Sequence, residues 1–276
     1  MRPLLWTGVR LDDRHGLGTF QPPPPAALLY FGWETEFSHD CLYLNVCTGA
    51  TGPIDKPVQD WYHFEVFVFG SGSNPLQDGI KLATECIIVV TVNSRLGRSG
   101  FFALPEMNVE SGHQASCNYG IMDQIAALEW VQRGVSSGGS NVHIFRNSPL
   151  AKGLFCKATY ESVPGMTPVI NGPGHITAYM TMTAADEAGT ESLDVLDASF
   201  LAELPGFPSE MILGASLARR QGPWKSYLRL TFTSLSVYDT TSSIVDDYVL
   251  AGQLTPPFSG QRRQPRGRAA ASKSHS

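Results

Sequence analysis

An α/β protein on a mostly parallel central sheet is what this sequence predicts, and three stretches carry the prediction. Residues 86–93 read CIIVVTVN, the continuous β-branched run expected of a strand covered on both faces. NYGIMDQIAALEWVQR, at 118–133, follows with helical periodicity, and NVHIF, at 141–145, follows that as a further strand. Strand, turn, helix, strand is the unit from which parallel α/β sheets are built.

The elements are justified in chain order. MRPLLWTGVRLDDRHG opens the chain with a short apolar patch but without the long apolar core and small-residue cleavage site of a secretory signal, so the default expectation is a cytoplasmic protein. QPPPPAA, at 21–27, is expected as a surface loop, because proline lacks the backbone donor and fixes φ. CLYLNVC, at 41–47, alternates as a half-buried strand does, and FEVFVF, at 64–69, is expected as a second strand. For the helix after Asn118, an N-cap with Asp123 in the early turns, the predicted buried stripe is Ile121, Ile125, Leu128 and Gln132, broadened by Met122, Ala126 and Trp130. Further helical signals lie between Ala184 and Ala218, around SLDVLDASFLAELPG and SEMILGASLA. From Gln261 the tail QRRQPRGRAAASKSHS is basic and poor in apolar residues, and disorder is expected there.

With 276 residues, 42% of them hydrophobic, and a net charge of −5, the chain can form a sizeable core. A sequence pI near 5.8 gives no global reason to bind nucleic acid. No apolar run reaches the roughly 18 residues that a membrane helix needs. Cysteines at 41, 47, 86, 117 and 156 are odd in number, which argues against a closed disulfide framework. Cys41 and Cys47 are too isolated to be read as a metal pair, and no cofactor is expected.

Three segments carry a resemblance: SHDCLYLNV at 38–46, IVVTVNSRLGRSGFFALPEMNVE at 88–110, and the NYGIMDQ helix. Their wording, order and spacing resemble the type B carboxylesterase/lipase family, the cholinesterase-like branch of the α/β-hydrolases. The resemblance implies an incomplete α/β-hydrolase fold, expected as a partial domain over residues 1–260 with the basic tail over 261–276. LAKGLFCKATYESVPGMTP and IVDDYVLAGQLTPPF are also similar to family segments. In the family an arginine near the PP dipeptide pairs with the acidic residue before DC, and Thr19 and His39 stand at those two positions here. The family's disulfide partner for Cys41 lies upstream; no cysteine precedes Cys41, so a free, mostly buried thiol is expected.

Acyl transfer in this fold needs a serine on a strained strand-to-helix turn, a histidine, an acid to orient it, and backbone N–H donors at the developing oxyanion. In the family a GESAGG-type elbow follows the NVHIF-like strand, whereas here only Arg146 and Asn147 separate Phe145 from SPLAKGLF. The resemblance places the acid and the histidine downstream of Ser276. KPVQDWYHFEVFVFGSGS aligns without a gap on the family's oxyanion loop, with His63 on its histidine and Phe64, Glu65 and Val66 on its three glycines. Side chains at Phe64 and Val66 crowd the space the glycines leave open, and an inward Glu65 carboxylate opposes the charge to be stabilised.

Other motifs do not restore the chemistry. Gly134-Val135-Ser136-Ser137-Gly138 matches G-x-S-x-G, but Ser136 follows a helix and precedes a strand, the reverse of a nucleophile elbow. Gly70-Ser71-Gly72 lacks the Lys-Ser/Thr of a phosphate loop. His143 on a strand and His113 in ESGHQAS read as structural residues. The expectation is a catalytically inactive member of an ester-hydrolase lineage, a pseudoenzyme. Two alternatives stand beside it: an active hydrolase with a rebuilt site using Ser136 or Ser148 with His63 or His143, and a non-enzymatic interaction protein like the cholinesterase-like adhesion domains. A small ester is expected as partner only if the site is active. The missing segment is also expected to leave CIIVVTVN short of cover, loosening the core and favouring self-association through exposed sheet surface.

Overall fold

The computed structural model describes residues 14–21, 36–50, 56–63, 67, 70–134, 137–139, 145, 148–155, 179–197, 243–245 and 248–249. Four strands form the main sheet: β1 (Leu44–Cys47), β2 (Val58–Tyr62), β3 (Ile88–Val92) and β4 (Ser137–Gly139), in the order β1-β3-β2-β4. β2 pairs in parallel with both β3 and β4, while β1 runs antiparallel to β3. The sheet is therefore mixed, with an antiparallel strand on an otherwise parallel framework.

β3 is the strand that CIIVVTVN predicts, and it is covered. Val90 and Val92 enter the core formed by Tyr62, Phe101, Ile121, Ile125 and Leu128. Gly79 lies so close to Val89 that a Cβ there would sit 2.6 Å from Val89 Cγ1. The expected loss of cover over this strand is thus corrected: Val89 and Val90 are each 1% exposed.

β2 is formed by VQDWY. Val58, Asp60 and Tyr62 are buried and alternate with half-buried Gln59 and Trp61, the pattern of a strand lying between two others. Within FEVFVF only Phe67 is described, and it occupies a turn with φ of +60°, which no strand residue adopts.

Four short turns or helices, at Pro75–Gln77, α1 (Ile80–Ala83), α2 (Gly97–Gly100) and α3 (Pro105–Glu110), lead to the long helix α4 (Tyr119–Gly134). Asn118 immediately precedes α4, and its carbonyl accepts from Met122 N. The buried face of α4 is Ile121, Gln124, Ile125, Ala127, Leu128 and Val131. Met122 and Trp130, 36% and 42% exposed, do not broaden it, and exposed Gln132 instead donates to Gly153 O at 2.9 Å. Spacing of three and four residues from Ile121 selects 124, 125, 128 and 131, which leaves 122 and 130 on the flank. Asp123 accepts from Arg95 at three atoms: backbone N (3.0 Å), Nε (2.8 Å) and Nη2 (2.7 Å). These bonds tie the end of β3 to α4.

The strand described after α4 is Ser137–Gly139. Ser137, Gly138 and Gly139 register against Val58, Gln59 and Asp60. Phe145 is helical and buried, with its ring edge-on to Tyr62 at 5.3 Å. Asn141–Ile144 lie outside the described residues.

Beyond these, β5 (Tyr179–Thr181) pairs in parallel with β6 (Ser243–Val245), and α5 (Met182–Leu196) follows β5. Thr181 Oγ1 caps α5 by accepting from Ala184 N at 3.3 Å. The helix ends where Asp197 turns left-handed at φ +54°, so SLDVLDASFL is not one continuous helix. Ala185, Ala188, Leu193 and Leu196 face inward. Gly189 packs against Ala103, where a Cβ would meet the carbonyl oxygen at 1.7 Å. Asn108 Nδ2 donates to both oxygens of Asp186, at 2.9 and 3.0 Å. Tyr248 stacks on His113 with centroids 3.8 Å apart and planes 12° apart, and Val249 is 1% exposed. SEMILGASLA and the basic tail lie outside the described residues. No described helix is long and apolar enough to cross a membrane.

Candidate functional site

β2 delivers His63 at the carboxyl end of a parallel strand, the edge where α/β sheets place their sites. The ring is 8% exposed and its Nδ1 has no hydrogen-bond partner. Burial lowers its pKa to about 4, so the imidazole is neutral at pH 7. Phe64, Glu65 and Val66, the residues aligned on the oxyanion glycines, lie outside the described residues.

The exit of that loop is firmly held. Phe67 is buried, its ring lies 4.8 Å from Phe101, and its carbonyl accepts from Gly97 N at 2.6 Å. Gln21 then clamps Gly70, accepting from its N–H at 2.6 Å and donating to its carbonyl at 3.2 Å. Asn93 Oδ1 accepts from Gly72 N at 2.7 Å, while Thr91 Oγ1 and Asn45 Nδ2 both donate to Gly72 O. A Cβ at Gly72 would approach Val92 N to 3.1 Å, which explains the glycine by contact. With the Gly70 and Gly72 amides engaged by side chains, Gly70-Ser71-Gly72 is not an anion cradle. Sequence reading missed Gln21 and Asn93; their signal was a lone amide at each end of an apolar or proline-rich run. It also missed the fully buried Asp60; the Tyr62 pKa is raised by burial first and by the Asp60 charge second.

Ser148 is 4% exposed and its Oγ has no partner. It is therefore not hydrogen-bonded to His63 Nδ1, which is also without one. The Ser148 N–H donates to Phe145 O at 3.3 Å, so the chain turns within four residues from Phe145 into the 3₁₀ turn Pro149–Ala151. Ser136 and His143 lie outside the described residues. His113 is engaged in its stack with Tyr248, consistent with a structural role.

Where the resemblance places an Arg–acid pair, a different arrangement stands. Thr19 Oγ1 donates to Cys41 Sγ at 2.7 Å, and the Phe20 ring lies 4.8 Å from His39. Cys41 is a free thiol, 2% exposed, with its pKa raised by burial. Thr19 and His39 thus make other contacts where the resemblance places the ion pair. Among the described residues no group of three or more His, Cys, Asp or Glu is placed to hold a metal.

The carboxylesterase family matches residues 3–201 of this chain. A para-nitrobenzyl esterase from Bacillus subtilis is 42% identical over 176 residues, covering 58% of this chain and 35% of that protein. A pyrethroid hydrolase from Mus musculus, Ces2a, is 35% identical over 226 residues, covering 70% of this chain and 37% of its own length. The crystal structure of a Geobacillus stearothermophilus carboxylesterase superposes with a TM-score of 0.67 at 28% identity, over 89% of this chain and 47% of that one. A solved PNB esterase gives 0.64 at 30% identity, over 86% and 47%. The chain thus spans 35% and 37% of these two relatives and 47% of the solved enzymes.

Proposed function

The chain belongs to the carboxylesterase family and folds as an incomplete α/β-hydrolase, and from that premise we propose that it does not hydrolyse esters by the family's serine mechanism. The observation that carries this reading is the turn closed by Ser148 N and Phe145 O. It joins Phe145 to the SPLAKGLF segment with only Arg146 and Asn147 between them, leaving no length for a nucleophile elbow and the helix after it. A parallel crossover takes at least about 10 to 12 residues with its helix.

The neighbouring groups support the same conclusion. His63 is neutral at pH 7 and so could accept a proton, yet neither its Nδ1 nor Ser148 Oγ has a partner. Phe64, Glu65 and Val66 remove the glycines through which an oxyanion is approached. Loss of one oxyanion donor costs roughly 10²- to 10³-fold in rate, and loss of the nucleophile on the order of 10⁶-fold. The domain proposed for this non-catalytic role runs over residues 1–260.

Steady-state hydrolysis of short p-nitrophenyl esters tests the reading, since relatives named as esterases suggest carboxylic esters as the substrate class. The expected outcome is no saturable turnover above a heat-treated sample, and none after Phe64, Glu65 and Val66 are all changed to glycine. Saturable hydrolysis abolished by one serine substitution would establish a rebuilt site instead.

A further inference from the structure

β1 is a terminal strand of the main sheet, bound by β3 on one side only among the described residues. Asn93 N donates to Tyr43 O at 2.9 Å, and the register sets Asn45 against Thr91 and Cys47 against Val89. In an antiparallel ladder, residues of one parity exchange bonds with the partner strand, and those of the other parity turn their N–H and C=O groups away. The odd-numbered residues of β1 therefore serve β3, while the backbone groups of Leu44 and Val46 face the open side. Neither makes a backbone bond on that side among the described residues.

Edges of this kind are normally blunted by charged side chains, by proline or by a bulge. β1 has none of these. Residues 41–50, CLYLNVCTGA, contain no Lys, Arg, Asp, Glu or Pro, and the register runs from Leu44↔Val92 to Cys47↔Val89 without a bulge. Val46 is 44% exposed and Leu44 is half-buried, both on the face that carries Val90 and Val92. The opposite end of the described sheet, β4, offers only Ser-Gly-Gly, with no apolar side chain to set a register.

Another strand is what such an edge fits, and the geometry selects a second copy of this chain. Two copies of net charge −5 repel, and an uncharged stretch lets their edges meet without opposed carboxylates. The strand is also self-complementary: antiparallel about a twofold axis at Asn45, Leu44 of each copy stands opposite Val46 of the other. The Asn45 amide is already engaged within its own chain, donating to Thr91 Oγ1 at 2.9 Å and to Gly72 O at 3.2 Å.

We propose that two copies pair edge to edge through β1, with Leu44 and Val46 exchanging backbone bonds across the axis and the sheet continuing from one copy into the other. A strand of 4 residues buries far less than the roughly 1,600 Å² of a standard interface, so the dimer is weak and concentration-dependent. The pairing uses the edge of the sheet rather than its covered faces, and it stands whether or not the chain is catalytic.

Sedimentation velocity on the full chain, from about 10 μM to about 1 mM, tests the proposal together with hydrogen exchange read by NMR at both ends of that range. The average mass should rise towards twice that of the monomer. Exchange at the Leu44 and Val46 amides should slow several-fold at the high end, whereas the Asn45 and Cys47 amides, already bonded to β3, should change little. Val46→Lys places a charge on the edge, and Val46→Pro removes an N–H that β3 does not use, a position where an edge strand tolerates proline. Each variant that keeps the parent's circular dichroism should stay monomeric throughout, and the exchange measurement on the parent stands apart from both. A parent that remains monomeric at the highest concentration, a dimer that survives in a folded Val46 variant, or dimerisation without slower exchange at Leu44 and Val46 would overturn the proposal.

Discussion

Replacing Asp123 with Asn should lower stability more than any other single polar change among the described residues. The Asp123 side chain is 5% exposed and accepts from Arg95 at backbone N, Nε and Nη2, over 2.7–3.0 Å. An amide keeps the volume but presents an NH₂ to one of those donors and removes the charge that made all three bonds charge-assisted. Removing one partner of a buried pair costs about 3 to 5 kcal/mol. Arg95 is 26% exposed and can recover some hydration, so about 2 to 4 kcal/mol is expected, a large share of a typical 5 to 15. Equilibrium urea unfolding of Asp123→Asn beside the parent, with a shared m-value, reads this as a lower midpoint. A midpoint shift worth less than about 0.5 kcal/mol, the scale of surface substitutions, would refute the reasoning that this pair ties β3 to α4.

Three further outcomes are expected. His63 has its folded-state pKa depressed from 6.5 to about 4, so its contribution is fully present above pH 6.5 and is lost as the pH falls towards 4; the unfolding free energy from urea titrations should drop by about 3 kcal/mol over that window, and His63→Gln should flatten that part of the profile. Gly189→Ala should cost about 1 to 3 kcal/mol by overpacking against Ala103, with faster hydrogen exchange across α5; unchanged exchange would mean that α5 does not rest on Ala103. Exposed Cys86 should react with a maleimide well before Cys41, whose thiol is buried, bonded to Thr19 and raised in pKa; equal rates by peptide mapping would argue against that burial.

The sequence made β3 and α4 legible because both have a strong period and lie where their neighbours demand apolar cover. The proposed loss of the catalytic segment rests, in the sequence, on Arg146 and Asn147 alone. What the sequence did not convey was which residues pair beside β2. SGG has poor strand composition, yet it pairs with β2, because pairing is settled by the partner strand and not by local propensity. Within FEVFVF the one described residue, Phe67, is in a turn, and VQDWY, which forms β2, was missed because its buried Asp60 hides the apolar pattern. The staple of Gln21, Asn93 and Asn45 joins residues far apart in the chain, and no local pattern can announce such contacts.

The most direct test of the proposed loss of catalysis is labelling of the full chain with a serine-directed fluorophosphonate at neutral pH, followed by peptide mapping. Without a nucleophile elbow, no serine should carry an adduct above the level in heat-denatured protein. A stoichiometric, heat-sensitive adduct on one serine, Ser136 or Ser148 included, would contradict it and identify a rebuilt nucleophile.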